Sequence, residues 1–112
     1  MQRDPAVFLD DIVEACKWIA TYTDGMTAVE FARDRKTLDA VVRNLEIIGE
    51  AVKKIPPDIR AEMPDIDWQR IAGLRDILAH AYFAVDTDIV WDVARNKVPQ
   101  LHQRVEEFLG RP

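Results

Sequence analysis

Residues 68–82, WQRIAGLRDILAHAY, combine a helical apolar stripe with the only gathering of reactive side chains in the chain. Trp68, Ile71, Leu74 and Leu78 recur three and four apart, which predicts one buried helix face. Arg75, His80 and Tyr82 lie off that stripe. At about 100° per residue, Arg75 and Tyr82 fall within about 20° of each other, while Arg75 and His80 are about 140° apart. One straight helix therefore cannot aim Arg75 and His80 at a single target. Either the helix ends or bends near His80, or two copies of the protein bring their helices together and share a site.

The same periodicity extends in both directions. Asp4 and Pro5 form a helix start, with the aspartate as cap and the proline in the first turn, where its missing N–H costs little. Phe8, Ile12, Ala15, Cys16 and Ile19 mark an apolar face that ends at Asp24-Gly25. Thr27 and Glu30 have capping-box spacing and open a short second helix. A long helix is expected from Arg35 to Ile55, with a seam of Leu38, Val41, Leu45, Ile48, Val52 and Ile55. Gly49 interrupts that helix at a cost of about 1 kcal/mol relative to alanine, so another backbone is expected to pass close there. Pro56-Pro57 stops it, and a turn around 58–63 leads to Asp67, the expected cap of the 68–82 helix. Asp86-Thr87-Asp88 opens the last helix. Ile89, Val90, Val93, Leu101, Val105 and Phe108 are expected to anchor it, and Pro99 to kink it.

These elements predict an all-α protein, a single domain over 1–112 built as an up-and-down antiparallel bundle of four to five helices with a kinked last helix. The lone Cys16 excludes an intramolecular disulfide framework and suits a reducing compartment. No apolar run reaches the ~20 residues that span a bilayer, and acidic residues interrupt the amino terminus where a secretory signal would lie, so a cytoplasmic protein is expected. The net charge of −5 counts against nucleic-acid binding through bulk electrostatics. Lys53, Lys54, Arg70 and Arg75 leave room for a local basic site.

His80 is the central chemical candidate, because imidazole exchanges a proton near neutral pH; the alternative is a structural histidine at a helix end. Arg75 offers a permanent charge and a planar fork suited to phosphate, or else a salt bridge with Asp76 or a neighbouring acid. Asp76 could weaken phosphate binding or orient the arginine. Glu46 and Glu50 share a helix face, where Glu50 can pair with Lys54 four residues on; a solvated or partner-binding face is favoured there over a metal site. Trp68 is expected as a core or interface anchor, and Gly49 as a point of close approach. No glycine-rich phosphate loop, zinc spacing or nucleophilic triad is present.

The spacing Arg75, His80, Tyr82, preceded by Trp68, Ile71 and Gly73 and followed by Phe83 and Asp86, resembles the HepT-like branch of the HEPN family. Residues 44–51, NLEIIGEA, resemble that family's second recurrent stretch. Many relatives have an Arg-Asn pair where this chain has Arg75-Asp76. The resemblance implies an endoribonuclease toxin that cleaves tRNA or mRNA without a metal cofactor, with Arg75 and His80 in catalysis at a site shared across a homodimer. It further implies an MntA-like nucleotidyltransferase antitoxin as partner. That partner would use ATP and a divalent metal to transfer AMP to Tyr82. A different class of function, a helical module that binds the nucleotidyltransferase or a nucleotide without cutting RNA, fits the acidic charge and Asp76.

Overall fold

Helix starts in this protein coincide with side chains that accept hydrogen bonds from the first free N–H groups. The computed structural model describes residues 4–80 and 86–110, with Ala79 and His80 as helical backbone only. In it, Asp4 accepts from the Ala6 N–H at 2.9 Å and opens α1 (Pro5–Thr23). Gly25 then turns the chain at φ +73°, a conformation that favours glycine. Both arms of the Thr27–Glu30 capping box form and start α2 (Ala28–Arg33). Asp34 closes α2 and caps α3 (Arg35–Lys53), accepting from the backbone N–H and the hydroxyl of Thr37 at 3.0 and 2.8 Å.

The long helix is two residues shorter than its apolar seam. Arg60 braces its end, donating to the carbonyls of Val52 and Ile55 at 2.7 and 3.0 Å, the first of which also accepts from the Ile55 N–H at 3.2 Å. The expected turn after Pro56 contains a one-turn helix, α4 (Pro57–Ala61), with Pro57 in its first turn. Asp67 accepts from the Arg70 N–H and caps α5 (Trp68–His80). Asp86 accepts from the Asp88 N–H and opens α6 (Thr87–Asp92). A π-helical turn (Val93–Lys97) then leads into α7 (Val98–Phe108).

That π turn is the form taken by the break expected at Pro99. Proline cannot donate to the carbonyl four residues back and crowds it, and the ladder here widens so that the Val98 N–H reaches the Val93 carbonyl. Arg95, on the widened turn, donates to Thr23 at 3.2 Å and lies over the Trp91 ring, tying the end of α1 to the last helices.

α3 is central. It packs against α1 on one side and α5 on the other, while α7 covers α1. The core joins Leu9, Ile12, Val13, Cys16 and Ile19 of α1 to the α3 seam, with Leu78 of α5 and Val98, Leu101 and Val105 of α7. The all-α bundle expected from the sequence is therefore observed, with no strand among the described residues. One anchor is corrected: Ile89 is 60% exposed, while the adjacent anchor Val90 is the residue that α6 turns inward. Among the described residues, no helix is long and apolar enough to cross a membrane.

Candidate functional site

α3 and α5 meet at Gly49. A Cβ there would collide with the Arg75 Cβ and lie 3.2 Å from the Arg75 Cα, so the absence of a side chain lets α5 come down directly onto α3. The backbone approach expected at Gly49 is thus supplied by the motif helix itself, at its arginine. Alanine at this position gains about 1 kcal/mol in helix propensity but, with its Cβ in collision with the Arg75 Cβ, overpacks the seam by about 2–3 kcal/mol. Gly49→Ala is expected to destabilise the protein by about 1–2 kcal/mol in denaturant unfolding, with α5 displaced at Arg75. Unchanged stability would show that the seam yields freely.

The head of Arg75 emerges beside carboxylates on both helices. Its Nε lies 3.4 Å from Glu50 and its Nη1 3.4 Å from Asp76. Asp76 makes a closer contact with Lys53, at 2.8 Å. The hydrogen bond and charge of Lys53, followed by those of Arg75, hold the Asp76 carboxyl below the usual carboxylate range. Glu50 was expected to pair with Lys54. It faces Arg75 instead, and Lys54 lies over the Phe8 ring at 5.5 Å from its centroid.

Arg75 opens into a cleft of about 220 Å³ between α1 and α3. Its lining includes Phe8 and Asp11 from α1, Arg43, Glu46 and Glu50 from α3, and Lys54 directly after α3. Glu46 faces Arg43 at 3.8 Å. Lys54 and Arg75 therefore share this cleft, whereas Lys53 is drawn to Asp76 and Arg70 to Asp67 at 3.5 Å. The four cations do not form one basic patch. Cleft residues Asp11 and Arg43 carried no sequence signal, and Phe8 was legible only as part of the apolar face of α1, since α1 and α3 approach only in the folded chain.

Trp68 is buried, its indole N–H donating to the Met63 carbonyl at 3.1 Å, and Gly49 is buried under Arg75. Both are interior contacts of the protomer. Of the positions expected to face a partner, Glu46 and Glu50 are the two that reach the surface cleft. His80 is the last residue of α5 and its side chain lies outside the described residues, as does all of Tyr82. His102 faces Glu106 at 3.2 Å on α7.

Cys16 is buried, and burial pushes its thiol up to about 12, far from the thiolate that nucleophilic catalysis needs. Among the described residues, no three or more His, Cys, Asp or Glu side chains gather to hold a metal ion. What the described site offers is one oriented guanidinium, with a histidine position five residues further along the same helix.

A family model described as "Ribonuclease HepT-like" matches residues 12–108, a span that contains both α3 and α5. A Methanocaldococcus jannaschii protein named "Putative RNase MJ0127" is 44% identical over 108 residues, covering 96% of this chain and 89% of that protein. A Thermococcus cleftensis protein named "Probable ribonuclease HepT" is 41% identical over 108 residues, covering 96% of this chain and 98% of its own length. No solved structure matches the chain.

Proposed function

The chain belongs to the HepT-like ribonuclease family, and on that premise we propose that it is a metal-independent endoribonuclease, the cytoplasmic toxin of a type VII-like toxin–antitoxin pair. The observation that carries this reading is the placement of Arg75. Gly49 fixes its stem against α3, and its head reaches a cleft five residues before His80 on the same helix.

The chemistry asked of these groups is modest. A base removes the proton from a ribose 2′-hydroxyl, whose oxygen attacks the adjacent phosphorus; an acid protonates the departing 5′-oxygen as the P–O bond breaks. A cyclic phosphate and a 5′-hydroxyl result. Arg75 stabilises the charge gathered on the phosphoryl oxygens. One protomer has a single histidine near Arg75, about 140° round the helix from it. A homodimer with two copies of His80 and Arg75 at one cleft supplies the acid, the base and the missing direction.

The proposed antitoxin is a nucleotidyltransferase that uses ATP and a divalent metal to attach AMP to Tyr82. The added phosphodiester would place bulk and negative charge close to Arg75 and compete with an RNA phosphate for the same cation. The second reading, a non-catalytic module that binds the nucleotidyltransferase or a nucleotide, draws support from the two carboxylates already facing Arg75 and the net charge of −5.

Incubating the purified protein with total cellular RNA and EDTA separates the two. Discrete cleavage supports the nuclease. Intact RNA with folded wild-type protein, shown by mass spectrometry to carry no AMP, moves the assignment to the binding module.

Asp76→Asn tests how far the acidic neighbour restrains Arg75. In a His80→Ala background, where RNA stays whole, it is expected to tighten binding of a short labelled RNA a few-fold by removing one negative charge from the phosphate site. Unaltered anisotropy titrations would show that Lys53 already neutralises it. The same change should alter acid unfolding. The folded carboxyl titrates below its ordinary value of about 3.9, so its stabilising contribution is present above that value and is lost as pH falls through the lower, folded one. Asp76→Asn is expected to flatten that limb and leave the rest of the curve in place.

A further inference from the structure

Four charges alternate across the seam between α3 and α5. Lys53 contacts Asp76 at 2.8 Å, Asp76 contacts Arg75 at 3.4 Å, and Arg75 contacts Glu50 at 3.4 Å. The two ends, Lys53 and Glu50, are three residues apart on α3; the two middle members are consecutive on α5. Glu50 directly follows Gly49, the residue on which the Arg75 stem rests, so stem and head of the arginine are met by adjacent residues of one helix.

The two carboxylates are not equivalent. Asp76 is shared with Lys53, which makes the shorter contact, whereas Glu50 faces the guanidinium from the opposite helix and lines the cleft together with it. The Arg75 and Glu50 side chains are 35% and 48% exposed, and an ion pair so exposed adds little to stability. Its effect is on direction. Nε faces Glu50 and one Nη1 position faces Asp76, which leaves N–H groups of the five-donor fork available to an oxyanion.

We propose that Glu50 is a positioning residue, holding the guanidinium of Arg75 in the orientation that receives the scissile phosphate. The proposal rests on the ribonuclease reading and assigns Glu50 an internal role in place of the solvated or partner-binding one expected from sequence. Glu50 touches no reacting atom and acts only through Arg75.

Kinetics of Glu50→Gln on an RNA that wild type cleaves provide the first test. The expected result is a fall in kcat of about tenfold to a hundredfold with KM changed by less than about twofold, since misdirection of a correctly bound group is felt chiefly in the transition state. Glu50→Asp, which keeps the charge, should fall between Gln and wild type. In an Arg75→Ala background, Glu50→Gln should add no further loss. An unchanged or faster Glu50→Gln enzyme overturns the proposal, the faster one by showing that the carboxylate competes with phosphate. The Arg75 Nε–H signal in ¹⁵N NMR provides a second test that does not depend on cleavage. In wild type it should be shifted away from those of exposed arginines by the carboxylate 3.4 Å from Nε, and it should merge with them in Glu50→Gln. An unaltered signal in a variant of normal melting temperature overturns the proposal even if wild type proves not to be a nuclease.

Discussion

Replacing His80 with alanine is expected to slow RNA cleavage by about 10²–10⁴-fold, the usual contribution of a positioned proton-transfer group. Growth inhibition by the expressed protein should disappear with it. His80 is the last residue of α5, and its assigned role is chemical, so the substitution should leave melting temperature and self-association unchanged. The nearest rival imidazole in the sequence, His102, faces Glu106 on α7. His102→Ala is therefore the control, expected to retain cleavage. Full toxicity in the His80→Ala protein would remove histidine from the mechanism and leave a binding module.

The parts of the structure that were legible in the sequence are those decided within a few residues. Asp4, the Thr27–Glu30 box, Asp67 and the Asp86 cluster each meet a backbone N–H two or three positions away, so spacing alone locates them. Gly49 was legible for another reason. A helix tolerates the cost of glycine where something must lie against its backbone, although the sequence could not say that the something was Arg75.

What was misjudged depends on how helices meet. Glu50 and Lys54 have ideal spacing for a pair within α3, yet Arg75 arrives from α5 to take Glu50, and the Phe8 ring arrives from α1 beneath Lys54. Such surface pairs within one helix are worth only about 0.2–0.5 kcal/mol, too little to resist a competing partner brought in by core packing. The break in the last helix was expected at Pro99 itself. It falls in the preceding turn because the carbonyl that Pro99 leaves without a donor and crowds lies four residues upstream, on Arg95, within the 93–97 turn. Ile89 is apolar, but the buried stripe runs through Val90, Ala94, Val98, Leu101 and Val105, and one residue off that stripe is about 100° round the helix, which leaves Ile89 outside.

Arg75→Ala is expected to cost about 10²–10³-fold in kcat, comparable to removing one preorganised charge donor from a developing oxyanion. The loss should exceed that of Glu50→Gln, because the charge itself goes and not only its direction. Arg75→Lys should recover little of it. A lysine ammonium keeps the charge but has no fork to face Glu50 and Asp76 while still presenting N–H groups to phosphate. The seam should survive either change, since Gly49 meets the Cβ and Cα of residue 75, which alanine and lysine both retain. A shared site makes a further demand on this pair. Mixing wild type with the Arg75→Ala/His80→Ala double variant should silence the mixed dimers once subunits exchange, because a cleft that draws its acid and base from two copies of His80 is then left with one. If exchange is verified by mass and each wild-type chain keeps its activity, each site is built within a single chain, and the separation of about 140° must be closed at the end of α5.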